Sequence, residues 1–439
     1  MMKKIVYIIG VVFVLSSCSF LDTEVYGNLD EKNLYHDETS CMAGLAGVYD
    51  RLGTDGVYGL NLWGELDAGT DLTVYRADYN KSKALPSLNN YNNTDTYLQL
   101  TWQNLYEGIN RANDYIASIT DRTDSDCGGA QKKTMFLAEA KALRALFYLN
   151  LVAYWGEVPL RLKKSSQPEI YKQIIKDLEE AEAGCLPADE LNAPGRIAKT
   201  TVQALLARAY MWQSGYPVEA DTWEDALIWA RKVRDSGLHT LYKTTEDGVN
   251  GYRALFINMC SNKYDLTYRE SMFEVEFYGN GLDKTNESGK VGLYMGISQQ
   301  TTTDPDVPRA YAWYHGTKLF FKMFDDTDAR KWWNFADYKY DKTADGKVFK
   351  VMLTDADKAK YEDGDPGKWR AEYDPVRPWS LNSSSINYPV MRYSDVLLMI
   401  AECANEVSGS PTKEAVDAIN QVRKRAGISE IGLTDCTQS

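Results

Sequence analysis

Two irregular stretches of the sequence combine aromatic rings with planar polar side chains. The earlier stretch holds Asp71, Tyr75, Arg76 and Tyr79 in one short segment, and Tyr91 follows before the next helical pattern begins. An aromatic ring can stack on the C–H face of a sugar ring, whereas carboxylate, amide and guanidinium groups hydrogen-bond to its hydroxyl groups, which both donate and accept. These five residues are therefore candidate ligand-binding residues of a carbohydrate site.

The later stretch carries Tyr294 and, further along the chain, Tyr311 and Trp313. These three rings are candidate ligand-binding residues for the same reason. The alternative is that each ring packs within its own loop, because Tyr and Trp often bury an apolar body and keep a polar atom at the rim. The whole chain contains 30 Tyr and 11 Trp but only 12 Phe, a bias that both interpretations explain.

The spacings of common catalytic and metal sites do not occur in the sequence. The three histidines, His36, His239 and His315, are far apart, and there is no HExxH, GxSxG or phosphate-loop pattern. Residues 341–346 begin like a calcium-binding loop, but Met352 stands where that loop requires glutamate. We therefore predict no cofactor, no metal site and no enzymatic activity. A glycoside hydrolase is a minor alternative, because its two carboxylates are defined only by their separation in space and the chain has 62 Asp and Glu.

Charge and length limit the classes of partner and the number of domains. The formal net charge is −13 at pH 7, and binding to nucleic acid or to an anionic membrane surface requires basic patches, so we expect neither partner. A length of 439 residues allows one large domain or two to three smaller ones. The hydrophobic content of 44% is sufficient for a substantial core.

The start of the chain has the pattern of an export signal. Lys3 and Lys4 supply positive charge, and residues 5–15 are apolar but too few to span a bilayer, which takes about 20 residues. The pattern ends in Leu-Ser-Ser-Cys at Cys18, which resembles the lipobox of bacterial lipoproteins. We predict a signal peptide over residues 1–17 and a lipid anchor on Cys18, where more than one acyl chain is needed for stable attachment. The alternative is a secreted protein with a chance cysteine.

The other six cysteines form no CxxC pair, so the sequence has no zinc-ribbon or thioredoxin pattern. Export permits disulfides, but these cysteines are scattered through a long chain, and we predict mostly free, buried thiols. They are Cys41, Cys127, Cys185, Cys260, Cys403 and Cys436.

Apolar residues recur at helical spacing in much of the chain. The periodic segments are 136–151, 202–210, 223–233, 396–404 and 415–422. Thr200 and Gln203 predict a capping box at the start of the second helix, and Ser410 with Pro411 predict the start of the last one. Gly427 is the predicted left-handed residue beyond that helix. Two helix pairs resemble degenerate tetratricopeptide hairpins, with ordinary helical hairpins as the alternative.

Three stretches, 54–100, 240–316 and 337–390, are rich in Gly, Asn, Asp, Thr and Tyr and show little helical period. Residues 273–277 alternate as in a short strand. Long irregular stretches in a compact domain are usually functional or disordered, and the aromatic content here argues against disorder. The sequence thus predicts a mostly α-helical fold with long irregular loops and a few short strands, and the loops are the place to look for a site.

Several motifs together resemble one family. The lipobox is followed by Phe20-Leu21-Asp22, and six further segments match in the family's order over nearly the whole chain. The chain resembles the SusD/RagB-like outer-membrane lipoproteins of Bacteroidetes. The six segments are 102–113 (WQNLYEGINRAN), 138–148 (AEAKALRALFY), 154–160 (YWGEVPL), 204–210 (ALLARAY), 388–402 (YPVMRYSDVLLMIAE) and 418–423 (AINQVR).

The resemblance implies a single large domain over residues 18–439, with tetratricopeptide-like hairpins as scaffold and loops as binding surface. It implies an outer-membrane lipoprotein that faces the cell exterior and passes a captured glycan to a SusC-like TonB-dependent transporter. Family members draw binding aromatics from an early and a late loop, although not at fixed positions. The alternatives are a peptide-capturing member of the family, a tetratricopeptide scaffold for protein partners, and a surface hydrolase.

The end of the sequence departs from the family pattern. The resemblance implies a segment rich in Glu, Arg and Trp after the Arg-Ala-Gly at residues 425–427, whereas the sequence stops at Ser439. We expect the helices that would contact such a segment to expose apolar surface and the chain as written to be less stable. Equal thermal stability with and without a restored tail would refute that expectation.

Overall fold

The structure, a computed structural model, describes residues 34–76, 85–160, 163–244, 250–278, 289–300, 307–359, 361, 364–377 and 379–436. The predicted signal peptide, the predicted lipid anchor at Cys18 and the candidate residue Tyr79 lie outside these residues. The fold is mostly α-helical, as predicted.

Among the described residues, eight helices form the scaffold. Their bounds are α1 Glu38–Tyr49, α2 Thr96–Thr120, α3 Ala130–Trp155, α4 Gln167–Glu182, α5 Lys199–Ser214, α6 Trp223–Asp235, α12 Tyr393–Ser408 and α13 Lys413–Arg425. Helices α2 to α6 pack in succession, α12 packs on α6, and α13 packs on α12. The periodic segments of the sequence all lie within these helices, so those predictions are confirmed.

Polar side chains cap the scaffold helices at positions that the sequence only partly predicted. Asp95 accepts hydrogen bonds from two backbone N–H groups at the start of α2, which is the usual role of an N-cap aspartate. The predicted capping box at Thr200 is wrong, because Ala198 precedes α5 and the Thr200 hydroxyl instead bonds to His239 Nε2 at 2.7 Å. The last helix is capped by Thr412 and not by Ser410.

Helix α3 lies at the centre of the main core and is buried on more than one side. Phe136, Leu143, Phe147 and Leu151 are fully buried along it. Helix α2 approaches it closely at Gly108, where an added methyl group would overlap the ring of Phe147. A glycine therefore allows the two longest helices of the scaffold to meet.

We expect Gly108→Ala to destabilise the protein by about 1–2 kcal/mol, because overpacking a core costs about 1–3 kcal/mol and exceeds the roughly 1 kcal/mol gained in helix propensity. The matched control is Gly47→Ala in α1, where an added methyl meets no atom within 4 Å and only the propensity gain applies. Denaturant titration of both variants measures the difference. An equal stability change in the two would show that α2 and α3 have room to separate.

Within the described ranges, the segments between the scaffold helices form three small antiparallel sheets and several short helices. The strands are β1 Thr73–Tyr75, β2 Ser271–Val275, β3 Tyr314–Gly316, β4 Tyr338–Lys342, β5 Val348–Met352 and β6 Tyr388–Arg392. Strand β1 pairs with β3, β2 with β6, and β4 with β5. The short helices are α7 Gly251–Cys260, α8 Val291–Tyr294, α9 Lys318–Lys322, α10 Lys331–Asn334 and α11 Asp355–Ala359.

Two features of these segments differ from the sequence interpretation. The predicted strand at 273–277 exists but begins and ends two residues earlier, at Ser271–Val275. Helix α7 was not predicted, because it carries apolar residues on most of its sides and its sequence therefore shows no clear helical period. Among the described cysteines no disulfide is present, and five of the six are buried, so the prediction of mostly free, buried thiols is confirmed.

Candidate ligand-binding site

Four aromatic residues from the early and late stretches come together in one group. We call Tyr75, Tyr294, Tyr311 and Trp313 the aromatic cluster. Trp313 is at its centre: its ring stacks on Tyr294 with centroids 4.0 Å apart at 29° and lies 5.4 Å from Tyr311 at 36°. The rings of Tyr294, Tyr311 and Trp313 are half-buried, so each keeps part of its surface open to a solute.

Backbone hydrogen bonds fix the positions of the three half-buried rings. The N–H of Trp313 donates to the carbonyl of Tyr294 at 2.8 Å, and the Tyr311 hydroxyl donates to the carbonyl of Leu381 at 2.9 Å. Between the two late aromatics, Ala312 has a φ of +48°, a left-handed conformation that costs a non-glycine residue about 1–2 kcal/mol. Strain of this kind often occurs at functional sites, and here it sets the direction of Trp313.

A two-stranded sheet joins the two stretches that the sequence places far apart. In the β1–β3 pair Tyr75 is opposite Tyr314, and the N–H of Arg76 donates to the carbonyl of Trp313 at 2.8 Å. The Tyr75 ring lies 6.2 Å from Trp313. Its side chain is only 4% exposed, so Tyr75 supports the cluster from beneath and does not offer a free ring face.

The remaining candidates from the sequence lie at the edge of the cluster or apart from it. Asp71 is exposed, and its carbonyl accepts a hydrogen bond from the Thr317 hydroxyl, beside β3. Arg76 is half-buried next to Trp313. Tyr91 is 55% exposed, and within the described residues it makes no ring contact with the aromatic cluster.

A buried acid supports the cluster from below. Glu65 accepts hydrogen bonds from the hydroxyl groups of Tyr314 and Ser87, both at 2.9 Å. Burial raises the pKa of the Glu65 carboxyl, and these two bonds oppose the rise. Tyr314 is the first residue of β3 and directly follows Trp313, so its hydrogen bond to Glu65 holds the backbone next to Trp313 in place.

Asp55 and Lys290 are polar residues near the cluster that the sequence interpretation missed. Lys290 Nζ lies 4.0 Å from Asp55 Oδ1, and the side chains are 11% and 23% exposed. Burial raises the pKa of Asp55 and lowers that of Lys290, while the attraction between them opposes both shifts. The N–H of Tyr294 donates to the carbonyl of Lys290 at 2.8 Å, which places the pair beside the cluster. Burial raises the pKa of Tyr294, and the Asp55 charge adds to the increase. No motif surrounds either residue, so only the fold could reveal the pair.

The described residues contain no cluster of His, Cys, Asp or Glu with the geometry of a metal site. Within the same described ranges, no helix is both long and apolar enough to cross a bilayer. The described part of the structure is a helical scaffold with aromatic rings held on the segments between its helices.

Comparison with known proteins places the chain within one family. The sequence profile of the SusD family matches residues 278–439. A second profile, described as starch-binding and associating with the outer membrane, matches residues 19–211. The chain belongs to the SusD/RagB family.

Curated relatives and solved structures agree with this assignment. SusD-like protein P38 of Formosa agariphila is 25% identical over 94% of this chain and 79% of its own length. A SusD homologue from Bacteroides thetaiotaomicron is 27% identical, with a TM-score of 0.80 over 93% of this chain and 81% of its own. Surface glycan-binding protein A from the same organism, solved in complex with laminarihexaose, shares the fold with a TM-score of 0.68 at 20% identity, covering 90% of this chain and 85% of that protein.

Proposed function

We propose that this protein is a cell-surface lipoprotein that captures glycans without altering them and passes them to a SusC-like TonB-dependent transporter. The observation that carries the proposal is the aromatic cluster, in which Trp313 stacks on Tyr294 and also contacts Tyr311. Half-buried rings that are already packed lose little conformational entropy when a ligand binds, so they suit partners that present an apolar C–H face, such as pyranose rings.

Each residue has a distinct role in the proposed site. Trp313 and Tyr311 stack on sugar rings, while Tyr294 completes the platform. Asp71 and Arg76 at the edge are placed to hydrogen-bond to hydroxyl groups of the glycan. Tyr75 is the support beneath Trp313. Tyr79, outside the described residues, and Tyr91 are proposed as outer contacts for a longer chain.

A peptide ligand is the second candidate of the same family. Capture of peptides favours an acid-rich pocket with few stacked aromatics, whereas the proposed site has three mutually contacting rings. Surface glycan-binding protein A of Bacteroides thetaiotaomicron, which shares the fold and was solved with laminarihexaose, supports glycans as the class of ligand. We therefore propose oligosaccharides or polysaccharides.

The proposal places the protein at the outer membrane through a lipid on Cys18, facing the cell exterior. Membership in the SusD/RagB family and the outer-membrane description of the N-terminal match support this location. No catalytic step is proposed, since the solved structures that share the fold include a surface glycan-binding protein and a laminarin-binding SusD-like protein.

A binding screen tests the proposed function. The purified protein in detergent is exposed to a panel of neutral and acidic oligosaccharides and to a panel of peptides, and bound ligands are recovered and weighed by mass spectrometry. We expect at least one glycan to bind saturably and to be recovered with its mass unchanged. Binding of peptides alone, or recovery of shortened glycans, would contradict the proposal.

A further inference from the structure

A second cleft lies on the helical scaffold and shares no residue with the aromatic cluster. It forms where the end of α3, the start of α4, the end of α5 and the start of α6 meet α12. Its volume is about 380 Å³, within the usual range of small-molecule sites of roughly 300–1,000 Å³. It opens directly to solvent, so a ligand could reach it without any movement of the helices.

Aromatic side chains form the walls of this cleft. Trp212, at the end of α5, is 36% exposed, and Tyr216, in the α5–α6 loop, is 88% exposed. Trp223, the first residue of α6, is half-buried, and Met211 contributes to the apolar floor. Large aromatic side chains grouped at an exposed surface are uncommon unless they contact a ligand or partner. The faces of these rings are electron-rich.

Several polar groups that line the cleft have no protein partner among the described residues. Within the described part of the chain, the Gln167 amide, the Tyr171 hydroxyl and the Glu402 carboxylate make no hydrogen bond or ion pair. Tyr171 is buried at the floor, whereas Glu402 lies at the open rim. A few convergent polar groups in a mainly apolar cleft are the usual composition of a binding site.

The charge of the cleft is negative. Among its described lining residues Glu402 is the only ionisable acid or base, apart from the tyrosines. Partial burial raises the pKa of Glu402, and the nearby charges of Glu406 and Asp395 add to the increase. Arg208, which lies 5.8 Å from the Trp212 ring centroid, is already paired with Asp395. A carboxylate surrounded by acids and ring faces therefore lacks a cationic partner among the residues that the structure describes.

We propose that this cleft binds a protonated primary amine, which Glu402 would hold by a charged hydrogen bond and the Trp212 and Trp223 ring faces by cation–π contact. Each interaction favours a cation, and both are stronger in a partly desolvated cleft. An anionic ligand would be repelled by Glu402, and a neutral ligand would leave the carboxylate without a counter-charge. The amine site is separate from the proposed glycan site and goes beyond that function.

Calorimetry on the full chain with three small probes tests the amine site. Glucosamine presents the amine on a sugar, 1,5-diaminopentane presents it on an alkyl chain, and glucose is the neutral control. We expect one or both amines to bind saturably and glucose not to bind at this cleft. The amine that binds more tightly shows whether the cleft prefers an ammonium group on a sugar or on an alkyl chain. Binding of neither amine, or equally tight binding of glucose that persists in Trp313→Ala, would overturn the proposal.

Three variants assign the binding to this cleft. We expect Glu402→Gln to weaken amine binding by at least about tenfold and Trp223→Ala to weaken it by about threefold or more. Asp417→Asn, which removes an exposed acid that does not line the cleft, is the control and should change the affinity less than twofold. An unchanged affinity in Glu402→Gln would overturn the proposal. Trp313→Ala should leave amine binding unchanged. A loss of the amine site can therefore be distinguished from a loss of the glycan site.

Discussion

Replacing Trp313 by alanine is expected to weaken glycan binding by about thirtyfold or more, since a central aromatic contact contributes about 2 kcal/mol or more to binding. Trp313 contacts both other half-buried rings of the cluster, with centroids 4.0 Å and 5.4 Å away. Its removal therefore takes away one stacking surface and also frees Tyr294 and Tyr311 to move. Both effects reduce affinity, and titration calorimetry with the best ligand from the screen measures the loss.

Two further variants distinguish stacking from a general loss of structure. Trp313→Phe keeps a flat ring and should recover part of the affinity. Tyr216→Ala removes an equally aromatic but remote side chain that is 88% exposed, and glycan affinity should be unchanged. If Trp313→Ala and Tyr216→Ala bind glycan equally well, the aromatic cluster is loop packing and not a binding platform.

The largest expected effect on stability is that of Glu270→Gln, a loss of about 3 kcal/mol or more. Both oxygens of Glu270 accept hydrogen bonds from Arg425 at 2.8 Å, and one accepts from the N–H of Tyr242 at 2.5 Å. Glu270 is fully buried and Arg425 is 8% exposed. Glutamine preserves the shape but removes the negative charge, which leaves a buried guanidinium uncompensated, and that costs about 3–5 kcal/mol.

The control for Glu270 is an exposed ion pair on the same helix as Arg425. Lys413 and Asp417 are paired, with side chains 84% and 57% exposed, and Asp417→Asn should cost less than about 0.5 kcal/mol. Chemical denaturation followed by tryptophan fluorescence gives both values. A Glu270→Gln variant no less stable than Asp417→Asn would mean that Arg425 finds another partner or reaches solvent.

Hydrophobic periodicity predicted five of the eight scaffold helices, α3, α5, α6, α12 and α13, because apolar residues recur along their buried faces. It did not predict α1, α2 and α4. Residues such as Phe136, Leu143 and Leu151 recur at helical spacing, and they are all fully buried in α3. Helix α7 was not found in this way. It is only ten residues long, and residues such as Leu255, Phe256 and Cys260 are buried on several of its faces. A short helix that is apolar on most sides has no period to detect.

Sequence composition and the family resemblance identified the two stretches of the candidate site but not their arrangement. The β1–β3 pairing brings Tyr75 beneath Trp313, and a strand pairing between residues so distant in sequence leaves no local signal. For the same reason the sequence could not show that Tyr75 is buried or that Asp55 and Lys290 lie near Tyr294. The sequence shows which side chains are aromatic or charged, whereas the fold determines which of them are exposed to solvent.

Hydroxyl-radical footprinting in the presence of a saturating glycan shows whether the aromatic cluster is the surface that binds it. We expect oxidation of Trp313, Tyr311 and Tyr294 to fall when the glycan is added, while oxidation of Trp212 and Tyr216 on the scaffold stays the same. Unchanged oxidation of the three cluster residues, with protection appearing elsewhere, would contradict this expectation.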